Sequence, residues 1–182
     1  MHTNHANTLA AWALLATDAM DAAQLEVAEL PPRSLAALVL LRNRPASSVD
    51  WLSRRLGISQ SGAVRLVDRL VALGLLRREK SPGRKVVALH VTANGDARLG
   101  EGLEARAAAM RALVKPLSAD ERKQLAGLVG KALAGGARRR DEADAACRLC
   151  DWDGCKPVCP VDASVPRSHR SVRDLCSGAA QY

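Results

Sequence analysis

One stretch, residues 52–70, constrains the fold of this chain more than any other. LSRRLGISQSGAVRLVDRL has the apolar spacing of two short amphipathic helices joined by a tight turn at Gly57. Leu52 and Leu56 mark the apolar face of the first helix, and Ser59 stands where the second needs an N-cap. The residues predicted to face inward on the second helix are Val64, Val67 and Leu70. Such a pair of helices occurs both in ordinary helical cores and in units that read DNA.

The polar side of the second helix favours the DNA-reading alternative. Small or amide-bearing residues lie near its N-terminus and arginines lie further along, as a helix needs in order to enter a major groove. These candidate contact residues are Ser59, Gln60, Ser61, Arg65 and Arg69.

The distribution of charge supports a polyanionic partner. The net charge of the 182-residue chain is +8, and residues 42–85 alone carry eleven Lys and Arg against three Asp and Glu. The positive excess therefore coincides with the two short helices and with the segment that follows them, which is the electrostatic footprint expected of nucleic-acid binding.

Composition favours packed helices and no membrane span. The chain is 48% hydrophobic, with no Phe, one Tyr and three Trp, so its core must be built from aliphatic side chains. No apolar run reaches the ~20 residues that cross a bilayer, and the N-terminus lacks the features of a signal peptide. We therefore expect a cytoplasmic protein.

A basic hairpin is predicted directly after the second helix. Gly74 ends that helix, and strands are predicted over Leu75–Arg78 and Val86–Val91 with turn residues between them. A hairpin in this place is a wing, and its tip can lay Arg84 or Lys85 into an adjacent minor groove.

Helices are predicted on both sides of this unit. They cover residues 8–27, a buried helix opened by Ser34 and running to Arg42, a long helix from Thr92 to about Val114, and a last helix that begins at a capping box of Ser118 and Glu121. Helices this apolar have more surface than one small reading head can cover, so we expect a symmetric homodimer, which would also match a palindromic operator in double-stranded DNA.

This order of elements resembles the MarR family of winged-helix transcription regulators over residues 8–134. WLSRRLGISQSGAVRLVDRLVALGLLRRE, followed by GRKVVALHVTANG, is similar to that family's reading head and wing. The resemblance implies a mostly α fold with a small β-hairpin wing, a recognition helix over Ser59–Ala72, and a wing-tip role for Arg84. It also implies dimerisation through the N- and C-terminal helices, and a possible small-molecule effector. One departure is that Gly83 precedes Arg84, where the family usually has an Asp shortly before its wing arginine.

Four cysteines cluster near the C-terminus. Cys147, Cys150, Cys155 and Cys159 follow the pattern C-x2-C-x4-C-x3-C-P, whereas Cys176 stands apart and is expected to be a free thiol. Closely spaced thiolates suit a soft metal centre, and structural disulfides are rare in cytosolic proteins. Structural zinc sites usually separate their cysteine pairs by a dozen or more residues, so the four-residue middle gap is short for zinc.

The cysteine run also resembles the cluster loop of bacterial ferredoxins, in which a proline follows the last cysteine. Simple ferredoxins have two residues where this chain has four between Cys150 and Cys155. The resemblance implies an iron–sulfur cluster, with [4Fe–4S] favoured and [2Fe–2S] possible, while zinc stays open as the alternative.

These patterns predict four segments. They are an N-terminal dimerisation helix in 1–33, a winged helix-turn-helix in 34–91, C-terminal dimerisation helices in 92–134 and a cysteine-rich tail in 135–182. The leading hypothesis is a repressor whose operator affinity depends on the cluster, and the alternative is a ligand-responsive repressor with structural zinc. We expect no enzyme, because the chain has no dinucleotide-binding fingerprint and no nucleophile elbow.

Overall fold

The fold is mostly helical with one small antiparallel sheet. The computed structural model describes residues 3–80, 87–155 and 158–166. Its elements are α1 (Thr3–Ala28), α2 (Pro32–Asn43), α3 (Val49–Leu56), α4 (Gln60–Ala72), β1 (Leu76–Glu79), β2 (Ala88–Val91), α5 (Ala93–Leu113), α6 (Ala119–Ala134), α7 (Arg140–Ala146), α8 (Trp152–Cys155) and α9 (Pro160–Ala163).

The buried helix α2 begins two residues earlier than its sequence predicts. Pro32 occupies the first helical turn, where its missing N–H would have had no partner, and Pro31 takes the N-cap position. Ser34, predicted to open the helix, lies inside it and is buried. A proline at the helix start therefore replaces the expected serine cap.

The main hydrophobic core surrounds α2. Almost every side chain of α2 from Ser34 to Leu41 is buried, and helices α1, α3 and α5 pack around it. Leu52, Val67, Leu70, Leu89 and Leu99 join this core from the surrounding elements. As the near absence of aromatic residues requires, the core is aliphatic, with Trp51 and Trp152 only at its edge.

The two strands form a hairpin at the end of α4. β1 pairs with β2 in antiparallel register, with Leu76 opposite Val91 and Glu79 opposite Ala88. An isolated bridge between Ser47 and Leu89 adds a short third partner. The predicted wing tip with Arg84 and Lys85 lies outside the described residues.

The long helix α5 packs closely against the base of the hairpin. Thr92 caps it, since its hydroxyl accepts a hydrogen bond from the Gly95 N–H at 3.0 Å and donates one to the Gly74 carbonyl at 2.7 Å. A Cβ built on Gly95 would lie 2.2 Å from the Leu75 carbonyl oxygen. Only glycine allows this approach without a shift of backbone.

The capping box predicted before the last long helix is present. The Glu121 carboxylate accepts from the Ser118 N–H at 2.8 Å, and the Ser118 hydroxyl accepts from the Glu121 N–H at 3.3 Å. Hydrogen bonding of its carboxylate to the backbone N–H and the side chain of Ser118 lowers the pKa of Glu121. No residue of α6 is buried, and Leu128 and Val129 are exposed on it.

The cysteine-rich segment folds back onto the helices and has a small core of its own. Ala143, Cys147, Cys159, Val161 and Val165 form that core. Helix α9 packs against α6, and α7 packs against both α9 and α3. The contact between α7 and α3 joins segments far apart in the chain, which no local sequence pattern indicates.

The glycines and arginines of residues 135–140 are typical of a flexible linker, but the structure holds this segment in place. The Arg138 N–H donates to the Ser164 carbonyl at 3.0 Å, and Arg139 and Arg140 already belong to the start of α7. The backbone hydrogen bond closes the C-terminal segment on itself, which a sequence of Gly and Arg does not reveal.

Among the residues that the structure describes, no helix is both long and apolar enough to cross a membrane. The prediction of a mostly helical fold with a small hairpin is confirmed.

Candidate DNA-reading helix and four-cysteine site

The turn between α3 and α4 has the geometry that its sequence predicts. Gly57 is left-handed, with φ 61° and ψ 37°, a conformation that glycine adopts without steric cost. Ser59 is the N-cap of α4, and its hydroxyl accepts a hydrogen bond from the Gly62 N–H at 3.1 Å. Ser48 is the N-cap of α3, and its hydroxyl accepts a hydrogen bond from the Trp51 N–H at 3.0 Å.

The inward face of α4 differs from the prediction at one position. Val67 and Leu70 are fully buried, but Val64 is 38% exposed and Ala63 is buried in its place. Ala63, Val67 and Leu70 are spaced four and three residues apart, so they lie on the same face of the helix. Val64 lies beside that buried face. The small side chain of Ala63 fits where α4 packs against the rest of the helix-turn-helix. Apolar size alone favours valine over alanine, so the sequence pattern pointed to Val64.

The predicted DNA-contact residues of α4 share one exposed surface. Ser59, Gln60, Ser61, Arg65 and Arg69 are all exposed. The Gln60 amide oxygen accepts a hydrogen bond from the Ser53 hydroxyl at 3.2 Å. In the described part of the chain, neither Arg65 nor Arg69 forms an ion pair with a carboxylate, so both guanidinium groups face solvent.

The other basic residues beside α4 are engaged within the protein. Arg78 pairs with Asp68 of α4 at 2.7 Å, and Arg77 pairs with Glu79, whose pKa it lowers. The Arg78–Asp68 pair connects β1 to α4, and the Arg77–Glu79 pair lies within β1. They also reduce the number of arginines in the basic segment that can contact a partner.

The four predicted cysteine ligands come together at one place. Cys147 ends α7, Cys150 follows the next turn, Cys155 ends α8 and Cys159 is the N-cap of α9. All four are free thiols around one cavity of about 10 Å³, which Arg140, Trp152 and Asp162 also line. The ends of these helices therefore bring the four sulfur atoms together. The spacing of the cysteines in the sequence suggests this arrangement but does not establish it.

The thiols perturb one another. A hydrogen bond with Cys147 lowers the pKa of Cys150 to about 6, with help from the charges of Arg106 and Arg148, while burial opposes the shift. The same hydrogen bond and burial raise the pKa of Cys147. Burial also raises the pKa of Cys155. The hydrogen bond between them therefore favours the thiolate form of Cys150 and the thiol form of Cys147, and the thiolate is the form that binds metals.

The donor set fits a thiolate-ligated metal, although the described side chains are not arranged around a common ion. No three His, Cys, Asp or Glu side chains in the described ranges stand in a geometry that holds a metal directly. The cavity between the sulfurs has about the volume of one water molecule. This volume is closer to that of a single ion than to that of a cluster of several atoms.

Trp152 joins the cysteine site to the main core. It lines the cavity, and its indole N–H donates to the Cys147 carbonyl at 2.9 Å. It also packs against both hydrophobic cores. These contacts make Trp152 an anchor between the cysteine segment and the main core.

A cleft that the sequence did not reveal lies between α3 and the cysteine segment. Its volume is about 760 Å³, and α1, α2 and α5 complete its walls. Five arginines line it against a single acidic residue, Asp21; they are Arg33, Arg54, Arg55, Arg106 and Arg148. These arginines lie in four separate segments, so no local pattern could have grouped them.

Comparisons with known proteins identify the fold. A model of the MarR family matches residues 28–85, which include α2, α3, α4 and β1. No curated protein sequence matches the chain. Three solved structures are similar to this one. RV1404 from Mycobacterium tuberculosis is 24% identical with a TM-score of 0.64, and the match covers 73% of this chain and 92% of that one.

The second is wild-type MarR in its apo form from E. coli, which is 22% identical with a TM-score of 0.60, over 70% of this chain and 96% of that one. The third is the M. tuberculosis MarR family protein RV2887 in complex with p-aminosalicylic acid. It is 20% identical with a TM-score of 0.57, over 69% of this chain and 95% of that one. The chain therefore has the winged helix-turn-helix fold of MarR structures, and each match leaves more than a quarter of this chain uncovered.

Proposed function

We propose that this chain is a MarR-type transcriptional regulator that binds double-stranded DNA through α4. The observation that carries the proposal is the exposed face of α4, on which Gln60, Arg65 and Arg69 point away from a fully packed helix-turn-helix. Guanidinium and amide groups on such a helix can contact base edges and phosphates in a major groove. The match of residues 28–85 to the MarR family supports the same function.

The proposed regulator acts as a homodimer, and as a repressor. Helix α1 exposes Leu9, Leu14, Leu15, Leu25 and Val27, and α6 exposes Leu128 and Val129. A second copy would cover these side chains, and two reading heads related by a two-fold axis would match a palindromic operator.

Substitution of Arg65 tests the DNA-reading role. We expect Arg65→Ala to weaken binding of the cognate operator at least about tenfold, or about 1.4 kcal/mol, because its guanidinium contacts a base edge. Arg84→Ala should have a similar effect through the wing. Gel-shift titration at one salt concentration measures both.

Arg111→Ala is the matched control, because it removes the same charge from an exposed, ion-paired arginine on α5. It should leave the affinity nearly unchanged. Equal losses in Arg65→Ala and Arg111→Ala would mean that only overall charge matters, and no loss in either would contradict the role of α4.

We further propose that Cys147, Cys150, Cys155 and Cys159 hold an iron–sulfur cluster that modulates operator affinity. Support comes from the cysteine spacing, from Pro160 directly after the last cysteine and from the convergence of the four thiols. When bound, such a cluster would supply a centre sensitive to oxidants and to iron supply. The protein would contribute four thiolates, and Trp152 would limit the access of water.

Zinc is the second candidate for the same four thiols, and a specific observation favours it. The cavity of about 10 Å³ and the hydrogen bond between Cys147 and Cys150 suit a single ion better than a cluster. Four thiolates around one ion are a common structural zinc site.

Anaerobic purification distinguishes these metals. Broad visible absorption with several iron atoms and sulfides per chain is expected for the cluster, and a colourless protein with one zinc per chain would replace it with zinc. Cys155→Ser should abolish metal retention, whereas Cys176→Ser should not. Wild-type protein free of both metals would contradict a metal site of any kind.

A small anionic ligand in the arginine-lined cleft is a second candidate input. The cleft lies within the size range of ligand sites, and its five arginines favour a carboxylate. The similar protein RV2887 was crystallised with p-aminosalicylic acid. Titration calorimetry with p-aminosalicylate should detect binding that Arg33→Ala weakens and Arg98→Ala, which alters an arginine paired with Glu29, does not.

A further inference from the structure

A chain of ion pairs runs from the four-cysteine site to the first helix of the helix-turn-helix. The Asp162 N–H donates to the Cys159 sulfur at 3.4 Å, and the Asp162 carboxylate pairs with Arg140 at 2.5 Å. Arg140 also pairs with Asp144 at 3.0 Å, and Asp144 pairs with Arg55 of α3 at 3.4 Å. Each member of this chain contacts the next through a charged group or a hydrogen bond.

Asp144 is the central and most deeply buried member. Its side chain is only 1% exposed, and its two oxygens face different guanidinium groups, one from α3 and one from its own helix α7. A buried carboxylate without a partner is strongly unfavourable. The Arg55–Asp144 pair therefore favours the arrangement in which α7 lies against α3.

Apolar contacts and a further ion pair also hold the cysteine segment against the DNA-reading unit. Leu149 and Trp152, both within the cysteine run, pack against the main core. Arg42 of α2 approaches Asp151 of the same run at 3.9 Å. The cysteine segment is thus fastened to the DNA-reading unit on both sides of Cys150.

The position of Arg55 connects this contact to α4. Arg55 lies two residues before the turn glycine Gly57, and its guanidinium stacks on the Trp51 ring at 4.6 Å. Two residues before Arg55, the Ser53 hydroxyl donates a hydrogen bond to the amide oxygen of Gln60 at the start of α4. A displacement of Arg55 would therefore move the turn that orients the recognition helix.

We propose that Asp144 is a positioning residue that transmits the occupancy of the four-cysteine site to α3, and through α3 to the DNA-reading helix of the same chain. The inference rests on the proposed metal site and DNA-binding function. A metal bound by Cys159 holds α9, which holds Asp162 against Arg140 and so keeps Asp144 oriented towards Arg55. Loss of the metal frees α9, so that Asp162 no longer holds Arg140 in place at that end of the chain of ion pairs.

The test compares Asp144→Asn with Asp141→Asn, an identical change on the same helix. Asp141 pairs with Arg139, two residues away, at 3.1 Å. For each protein, the operator affinity is measured with the metal bound and after chelation, the metal content is measured, and hydrogen exchange is followed in the amides of α3. The ratio of the two affinities cancels any change in DNA binding that does not depend on the metal.

In wild type and Asp141→Asn, chelation should change the affinity and speed α3 exchange at least about tenfold, which corresponds to about 1.4 kcal/mol. In Asp144→Asn, the metal should be retained, the affinity ratio should approach one, and α3 exchange should be fast in both states. Arg55→Met serves as a second variant, since it leaves Asp144 paired with Arg140 and keeps apolar contact with Trp51.

Retention of the full affinity ratio by metal-loaded Asp144→Asn, or by Arg55→Met if the first variant does not fold, would overturn this inference and leave the proposed function intact. Wild-type protein that holds no metal, or whose affinity does not depend on it, would overturn the proposed role of the cysteines and this inference with it. The two failures are therefore distinguishable in wild type alone.

Discussion

At the scale of the residue, buried polar groups differ in how fully they are satisfied. Asp144 is buried between two arginines, whereas Gln24 of α1 is completely buried and neither atom of its amide finds a hydrogen-bond partner in the described structure. An unpaired buried amide costs about 1–3 kcal/mol. Gln24 thus weakens the contact between α1 and its neighbours, and nothing in the local sequence indicates it.

Replacement of Gln24 should raise the stability of the protein. Gln24→Met keeps the length and approximate volume of the side chain and removes both unpaired polar atoms, so we expect a gain of about 1–3 kcal/mol in the free energy of unfolding. Thermal and denaturant unfolding measure it. Gln124→Met, on the exposed surface of α6, should change the stability by less than about 0.5 kcal/mol. A destabilised Gln24→Met protein would show that the amide has a partner.

At the scale of the element, the helices and strands follow local signals in the sequence. Ser48, Ser59, Thr92 and Ser118 cap the helices that begin after them. These caps act between residues three positions apart, which is why they can be predicted. Which side of α4 faces inward could not be predicted as well, because the choice between Ala63 and Val64 depends on the surface that receives the helix.

Two glycines of α5 should respond in opposite ways to alanine. Gly95→Ala would place a methyl group 2.2 Å from the Leu75 carbonyl oxygen, so we expect a loss of about 1–3 kcal/mol and a displaced hairpin. Gly100→Ala meets nothing within 4 Å and should stabilise the helix by about 0.5–1 kcal/mol. Chemical denaturation compares them, and equal effects would contradict the close approach at Gly95.

At the scale of the whole molecule, charge and apolar surface are distributed over different parts. The basic residues concentrate around the reading head, while α1 and α6 expose leucines and valines. A monomer would leave this apolar surface in water, and a dimer would place two basic heads on one DNA duplex. The burial of this apolar surface and the pairing of two basic heads are therefore properties of the proposed complex between the dimer and its operator, and not of any single element.

The salt dependence of DNA binding tests this arrangement. If two heads and two wings contact phosphates, the logarithm of the binding constant should fall with the logarithm of salt concentration with a slope of about −5 or steeper. Fluorescence anisotropy over a range of salt concentrations gives the slope, and sedimentation gives the oligomeric state. A shallow slope for a dimer would mean that the basic segment does not contact phosphates.

The sequence by itself determined the elements and the chemistry of the sites. Helix periodicity and caps act over a few residues, so the helix-turn-helix, the hairpin and the four clustered cysteines could be read directly from the order of amino acids. Only the tertiary structure decided how these parts meet. Arg55 and Asp144 are 89 residues apart, and the arginines of the cleft come from separate segments. Their pairing depends on long-range packing, and that packing joins the cysteine site to α3, the helix that precedes the proposed recognition helix α4.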